Sequence, residues 1–287
     1  MATENITTSK DLIAQSIDFT EQFTGSISTL LQVLNVTRMQ PMAVGSQIKI
    51  YKSEVTKADG NVAEGEVIPL SKVTRKLADT KELAYKKYRK QTTAEAIQAS
   101  GFAAAVDDTD SKLLRSIQGD IKKDFFDFVQ TGTTKASGET FQKAIAQALG
   151  QLAIKWEDYD VQSVLFANPL DFYTYLGDSN ITTQTAFGLT YLQNYLGFNT
   201  IILTGAVKQG TIAATASQNL NYAYASMNGS LSQTFSLTTD ETGLIGVVHN
   251  ALTENASFET MALTSGVLFP ERLDGIVVAT VGTPASK

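Results

Sequence analysis

"VAEGEVIPLSKVTRKLADTKELAYKKYRKQTTAEAI", residues 62 to 97, is a glycine- and proline-marked turn followed by a long, basic, extended run inside a chain that is acidic overall. Asp59-Gly60, Glu64-Gly65 and Pro69 are turn chemistry. Upstream, "SQIKIYKSEVTK" at 46 to 57 alternates with period two, but Ile48, Ile50 and Ser53 do not sustain one apolar face, so it reads as a strand wet on both sides. Downstream, residues 72 to 91 read as one extended segment in which Val73, Leu77, Leu83, Tyr85 and Tyr88 stand among eight basic residues. Together they predict a hairpin about 40 Å long, at about 3.3 Å per residue. A lone two-stranded ribbon is marginal in water, so this arm needs a neighbour to lie on.

The rest of the 287-residue chain can supply a core: 43% of its residues are hydrophobic, and its 23 basic and 29 acidic side chains give a net charge of -6. The absence of cysteine excludes a disulfide scaffold, a thiolate metal site and a cysteine nucleophile, and fits a reducing cytosol. "MATENITTSKDLIAQSIDF" has no apolar run of signal-peptide length, so neither secretion nor membrane insertion is expected. The Asn-x-Ser/Thr triplets beginning at Asn5, Asn35, Asn180, Asn228 and Asn255 read as chance in so Ser/Thr-rich a chain. A negative chain repels nucleic acid on average, because phosphate binding is driven by counterion release to Lys and Arg.

Residues 1 to 44 read as an arm with short apolar patches at Ile13, Ile17, Leu30, Leu31 and Leu34. In "AVDDTDSKLLRSIQGDIKKDFFDFVQTG", Leu113, Ile117, Ile121, Phe125 and Phe128 recur at helical spacing, with Asp107, Asp108 and Asp110 at the start and Gly132 at the end; a long helix over 107–130 follows. "SGETFQKAIAQALGQLAIKW" predicts a second amphipathic helix, burying Ile145, Leu149 and Leu152. "VQSVLFANPLDFYTYLGD" reads as a buried strand, an Asn168 cap with Pro169 at the first helical position, and a short helix. "YLGFNTIILTGAVKQGTIAATA" reads as a further short helix, a turn at Gly197, an apolar strand near 200–204 and a strand after Gly210. The last fifty residues read as strands with turns at Asp240 to Gly243, Asn255 and Asp274-Gly275. The fold class is α+β.

Chemistry is sparse. His249 is the only histidine, no G-x-S-x-G elbow accompanies it, and a zinc site would need partners the chain lacks; it reads as structural or surface. "VDDTD" at 106–110 and "WEDYD" at 156–160 offer oxygen ligands to a divalent ion, but read first as a helix start and a polar loop. No phosphate-binding glycine pattern occurs, so no cofactor is expected. The basic run Lys72, Arg75, Lys76, Lys81, Lys86, Lys87, Arg89 and Lys90 leaves three readings open. It is a nucleic-acid site, interrupted by Asp79 and Glu82, or a solvated face, or a docking strip for a neighbour's helix bearing Asp107, Asp108, Asp110, Asp120, Asp124 and Asp127.

The order of these segments resembles the major capsid proteins of tailed bacteriophages, the HK97-type fold. "VAEGEVIP" is similar to that family's E-loop tip, and the stretch to "YRKQTTAEAIQAS" resembles its descending strand and turn into the body. The helix at 107–130 lies where the family has its spine helix. "VLFANPLDFYTYL" with "YLGFNTIILTGAVKQGTIAATA" resembles the A-domain, and "FPERLDGIVVATV" the closing P-domain strands.

The resemblance implies an N-terminal arm at 1–44, an E-loop hairpin at 45–92, a P-domain with its spine helix at 93–135, an A-domain at 136–234 and closing strands at 235–287. It further implies hexamers and pentamers that close into an icosahedral shell around double-stranded DNA, a portal protein, and no membrane. Because no long helical scaffolding segment is present at the start, a separate scaffolding protein is expected. No lysine and asparagine pair for a covalent cross-link is identifiable, and no catalytic residue or metal is implied. The subunit interface is expected at Glu64, Gly65, Pro69, Lys86, Lys87, Arg89 and Lys90, and at Asp108, Asp110, Asp120, Asp124 and Asp127 of the spine helix. An encapsulin-type compartment with an enzyme cargo is the alternative within the same fold; a divalent-ion hydrolase and a β-rich tail or adhesin protein are rivals outside it.

Overall fold

The computed structural model describes residues 6–7, 28–157, 159–178, 191–195, 197–227, 230–240 and 242–282. Ile13 and Ile17 of the expected arm, and the triplets beginning at Asn5, Asn180 and Asn228, lie outside the described residues or run out of them.

The chain opens with β1 (Ile6–Thr7), α1 (Ser28–Asn35) and β2 (Arg38–Pro41), and then projects the ribbon, β3 (Gln47–Thr56) paired antiparallel with β4 (Lys72–Glu82). The ribbon is shorter than the sequence predicts. Its return strand stops at Glu82 because Leu83 is fully buried, and Leu83 exchanges backbone hydrogen bonds with Ser46 and Gly45 at the ribbon's root. The basic run then continues as β5 (Lys86–Thr93), which pairs with β14 (Ser257–Thr264) in the body and not with the ribbon. Composition does not change across Leu83; burial does.

Thr93 caps α2 (Ala94–Ser100), its Oγ1 accepting from the Ala96 N–H at 3.3 Å. A π-helical turn at Ala103–Asp107 leads into the long helix α3 (Asp108–Gln130), which matches the predicted element almost residue for residue. Ile117, Ile121 and Phe125 are buried as its spacing requires, and Phe126 and Val129 join them. After β6 (Thr134–Gly138), Thr140 caps α4 (Phe141–Lys155) through the Lys143 N–H. The strand β7 (Ser163–Ala167) runs into α5 (Pro169–Asp178), where Asn168 Oδ1 accepts from the Leu170 N–H at 2.9 Å and Asn168 Nδ2 donates to the Val207 carbonyl at 2.8 Å. The short helix expected at the start of "YLGFN" is instead a strand, β8 (Tyr191–Tyr195), paired antiparallel with β9 (Phe198–Leu203) across Gly197, whose φ is +85°. Tertiary pairing overrides a local pattern too short to define a helix.

The remaining elements are β10 (Thr211–Ala216), β11 (Leu220–Tyr224), α6 (Ser230–Phe235), β12 (Thr238–Thr239), β13 (Ile245–Leu252), β14, β15 (Gly266–Pro270) and β16 (Ile276–Val281). They complete a five-stranded sheet ordered β1-β5-β14-β13-β12, a six-stranded sheet ordered β6-β16-β10-β7-β9-β8, and a three-stranded sheet ordered β15-β11-β2. The closing strand β16 thus runs inside the six-stranded sheet, between β6 and β10.

That sheet is covered on both faces, which explains the unbroken apolar run of "VLFA". Val164 and Phe166 point to one side, where Phe166 meets Phe125 and Phe126 of α3 edge to face at 5.7 Å each. Leu165 and Ala167 point to the other, onto Ile145, Ala148 and Leu152 of α4. Strand alternation therefore sorts one sheet between two cores.

Candidate subunit interface

Above its root the ribbon has no cover from the described residues of its own chain. The cross-strand pairs Tyr51·Leu77, Ser53·Arg75 and Val55·Val73 alternate with Lys52·Lys76, Glu54·Thr74 and Thr56·Lys72. Because alternate pairs face opposite ways, the apolar side chains fall on one face and the lysines on the other. Tyr51, Val55, Val73 and Leu77 are 42%, 67%, 66% and 54% exposed, a row of large apolar groups in water. Arg75 lies in this row with its guanidinium 4.2 Å from the centre of the Tyr51 ring. On the other face Lys76 Nζ donates to Glu54 Oε2 at 2.9 Å. The sequence reading of two wet faces missed this division, whose signal was the matching period-two placement of 51, 55, 73 and 77.

At the tip, Gly65 has φ +87°, a left-handed conformation that glycine adopts without penalty, and Glu64, Gly65 and Pro69 are all exposed. Val67, Ile68 and Leu70 beside them are also exposed.

The basic strip and the acidic helix, read from sequence as surfaces of different subunits, lie against each other in one chain. Lys86 Nζ is 2.5 Å from Asp124 Oδ2, and Lys90 Nζ is 2.5 Å from Asp110 Oδ1. The hydrogen bond from Lys86 to Asp124 holds the ammonium above its ordinary pKa against the opposing effect of partial burial. Lys90 also donates to Thr109 and, at 3.3 Å, to the Val106 carbonyl in the π-helical turn. Lys90 and Asp110 keep only 12% and 11% of their side-chain surface in water, so this pair is structural. His249 completes it, its Nε2 lying 2.7 Å from Asp110 Oδ2 and its ring stacked on Phe258. The lone histidine is thus a partner of the α3 start, as a structural reading expects.

Arg89 pairs with Glu259 at 3.3 Å, and Asp127 with Lys123 one turn away. Among the described residues, Lys87, Asp108 and Asp120 make no ion pair within 4 Å. Between α3 and β15 an open pocket of about 340 Å³ is lined by Ile121, Phe128, Tyr222 and Leu268 together with Asp124, Asp127, Lys81 and Lys86. Burial raises the Tyr222 hydroxyl above the ordinary tyrosine range.

Among the described residues no three His, Asp or Glu side chains gather as a metal site, and no helix is long and apolar enough to cross a membrane. No protein-family model matches the chain, and no curated protein sequence does. Solved structures do. The capsid of an empty GTA particle superposes with a TM-score of 0.64 at 10% identity, over 95% of this chain and 96% of that one. The capsid of the cyanophage P-SCSP1u gives a TM-score of 0.64 at 6% identity, over 95% and 94%. The chain has the HK97-type fold. A holo-SrpI encapsulin complex from Synechococcus elongatus PCC 7942 shares it, with a TM-score of 0.59 at 11% identity over 96% and 95% of the two chains.

Proposed function

We propose that this chain is the repeating subunit of a closed protein shell, the major capsid protein of a tailed bacteriophage, and not an enzyme. Its hexamers and pentamers form an icosahedral container for double-stranded DNA, assembled in the bacterial cytoplasm with a separate scaffolding protein and a portal protein. The observation that carries this reading is a long ribbon with bare apolar side chains on an HK97-type body. Isolated, such a ribbon gains little from folding; laid on another copy, it is completed. Contact with DNA is non-specific, because the net charge of -6 gives no broad attraction to phosphate.

The tip residues Glu64, Gly65 and Pro69, with Lys87, Asp108 and Asp120, are the expected interface positions left available to a second copy. Lys86, Lys90, Asp110 and Asp124 set the body's own geometry first.

A second reading is an encapsulin-type compartment around an enzyme cargo, favoured by the superposition on the encapsulin over nearly the whole of both chains. Electron microscopy and light-scattering mass on the purified chain, alone and with a scaffolding protein, test the shell. Capsomer rings or closed particles are expected, and a monomer under every condition overturns it. Nuclease-protected DNA inside particles isolated from the native source supports the capsid; an enzyme cargo in its place supports the compartment.

A further inference from the structure

We propose that the open edge of β13, residues 248–252, pairs antiparallel with the same edge of a second copy of this chain, across a two-fold axis at Asn250. This rests on the shell reading for bringing two copies together, and it adds a joint that uses neither the ribbon nor the long helix.

The first argument is an unfinished ladder. β13 is paired with β14 along all of Ile245–Leu252, but its other neighbour, β12, is two residues long and reaches only Gly246 and Val247. The Asp240 N–H donates to the Ile245 carbonyl, so the backbone groups of Ile245 and Val247 point toward β12. By alternation those of His249 and Ala251 point the same way. Among the described residues no strand meets them, and both residues are exposed. Just before β12 the chain passes through Ser236, whose φ is +53°, and does not run on beside His249. A groove of about 430 Å³ lies there, with Phe235, Ser236, Val248, His249 and Asn250 along it.

The second argument is the lack of any device that protects this edge. Exposed edges are blunted by proline or lysine. Both edge strands of the three-stranded sheet, β2 and β15, end in a proline, Pro41 and Pro270, and the ribbon strands carry Lys52, Lys72 and Lys76. Residues 248–252 read Val-His-Asn-Ala-Leu, with no proline, lysine or acid. The edge is also held in place, since His249 is tied to Asp110 at 2.7 Å and stacked on Phe258. A strand fixed in this way has little order left to lose on pairing.

The third argument is register, and it selects a second copy as the occupant. With the axis at Asn250, His249 of each copy faces Ala251 of the other, and the two pairs exchange four backbone hydrogen bonds. Val248 then faces Leu252, apolar against apolar, with the exposed Phe235 in the groove beside them. Asn250 faces Asn250, amide against amide, and no like charges meet. The dyad of an antiparallel pair is perpendicular to the sheet, so both bodies keep the same side up, as neighbours in one wall must.

The natural absence of cysteine makes the axis testable under conditions where the parent chain assembles. Asn250 would occupy a non-hydrogen-bonded position, where facing Cα atoms lie about 4.5 Å apart, within reach of a disulfide. Oxidised Asn250→Cys particles should give one disulfide-linked dimer and no larger species, because a two-fold contact is closed. Leu252→Cys, whose counterpart is offset by about 13 Å along the strands, should give none. Particles that form without the 250–250 dimer, or that link equally through Leu252→Cys, overturn the pairing while leaving the shell standing.

A charge at the axis gives a second readout. Asn250→Lys sets two ammonium groups against each other; it should leave the melting temperature of the free chain unchanged, since Asn250 is exposed, and lower particle yield at low salt. Yield should recover in about 1 M salt, where the Debye length is about 3 Å. Asn250→Ser should assemble like the parent. Full yield of Asn250→Lys at low salt, or a loss that salt does not relieve, overturns the joint; a parent chain that never assembles overturns the reading on which it rests.

Discussion

The ribbon and the six-stranded sheet are built from the same period-two alternation, yet one is covered on both faces and the other on neither. In β7 the alternation divides Val164 and Phe166 from Leu165 and Ala167, and each set finds a core in its own chain. In the ribbon it divides Tyr51, Val55, Val73 and Leu77 from Lys52, Lys72 and Lys76, and neither set is covered. A strand pattern thus states which side chains share a face, while the topology decides whether the cover comes from the same molecule.

That contrast should appear in stability. Phe166→Ala removes a fully buried ring from the cluster with Phe125 and Phe126, and should cost about 3–5 kcal/mol in denaturant unfolding of the free chain. Val73→Ala in the ribbon should change the same measurement by no more than about 0.5 kcal/mol. A comparable loss at both positions would mean that the ribbon is packed in the monomer and would end the comparison.

Next in size is Asp110, where body and basic strand meet. Asp110→Ala leaves Lys90 a largely buried cation without its carboxylate and removes the partner of His249. The expected cost is about 3 kcal/mol by denaturant unfolding. A cost near zero would show the pair to be a surface contact and return Lys90 to the set available for docking.

The smallest effect is expected at Asp274, where Thr134 on β6 and Lys155 on α4 both reach the turn before β16. Burial alone would raise its pKa; the hydrogen bond from Lys155 and the charge of Arg272 together outweigh it and hold the carboxyl below its ordinary value. A carboxylate depressed in this way stabilises the fold above its unfolded pKa, about 3.9, and the contribution is lost as pH falls through the folded value. With 46% of the side chain exposed, screening limits it to under about 1 kcal/mol. Asp274→Asn should therefore be slightly less stable than the parent at pH 6, with the gap closing below about pH 4. A constant gap across that range would assign the effect to packing.

The body was largely legible in the sequence. The spacing of Ile117, Ile121 and Phe125 gave α3 its length and buried face, and Asn168-Pro169 marked the start of α5 with its capping oxygen in place. The ribbon was legible as a ribbon, but not where it ends, because the basic composition runs unbroken past Glu82 and only the burial of Leu83 separates β4 from β5. For the same reason Lys86 and Lys90 looked like surface charges awaiting a partner, when contacts distant in sequence give them Asp124 and Asp110. The short β8 was misread because its pairing with β9 is a tertiary fact.

A ribbon finished by another copy should change its protection when the chain assembles. The most direct measurement is amide hydrogen exchange across Gln47–Glu82 in the free chain and in purified particles, with β7 as the internal reference. Fast exchange over the ribbon and slow exchange over β7 are expected in the free chain, with ribbon protection rising toward that of β7 on assembly. Equal ribbon protection in both states would contradict it.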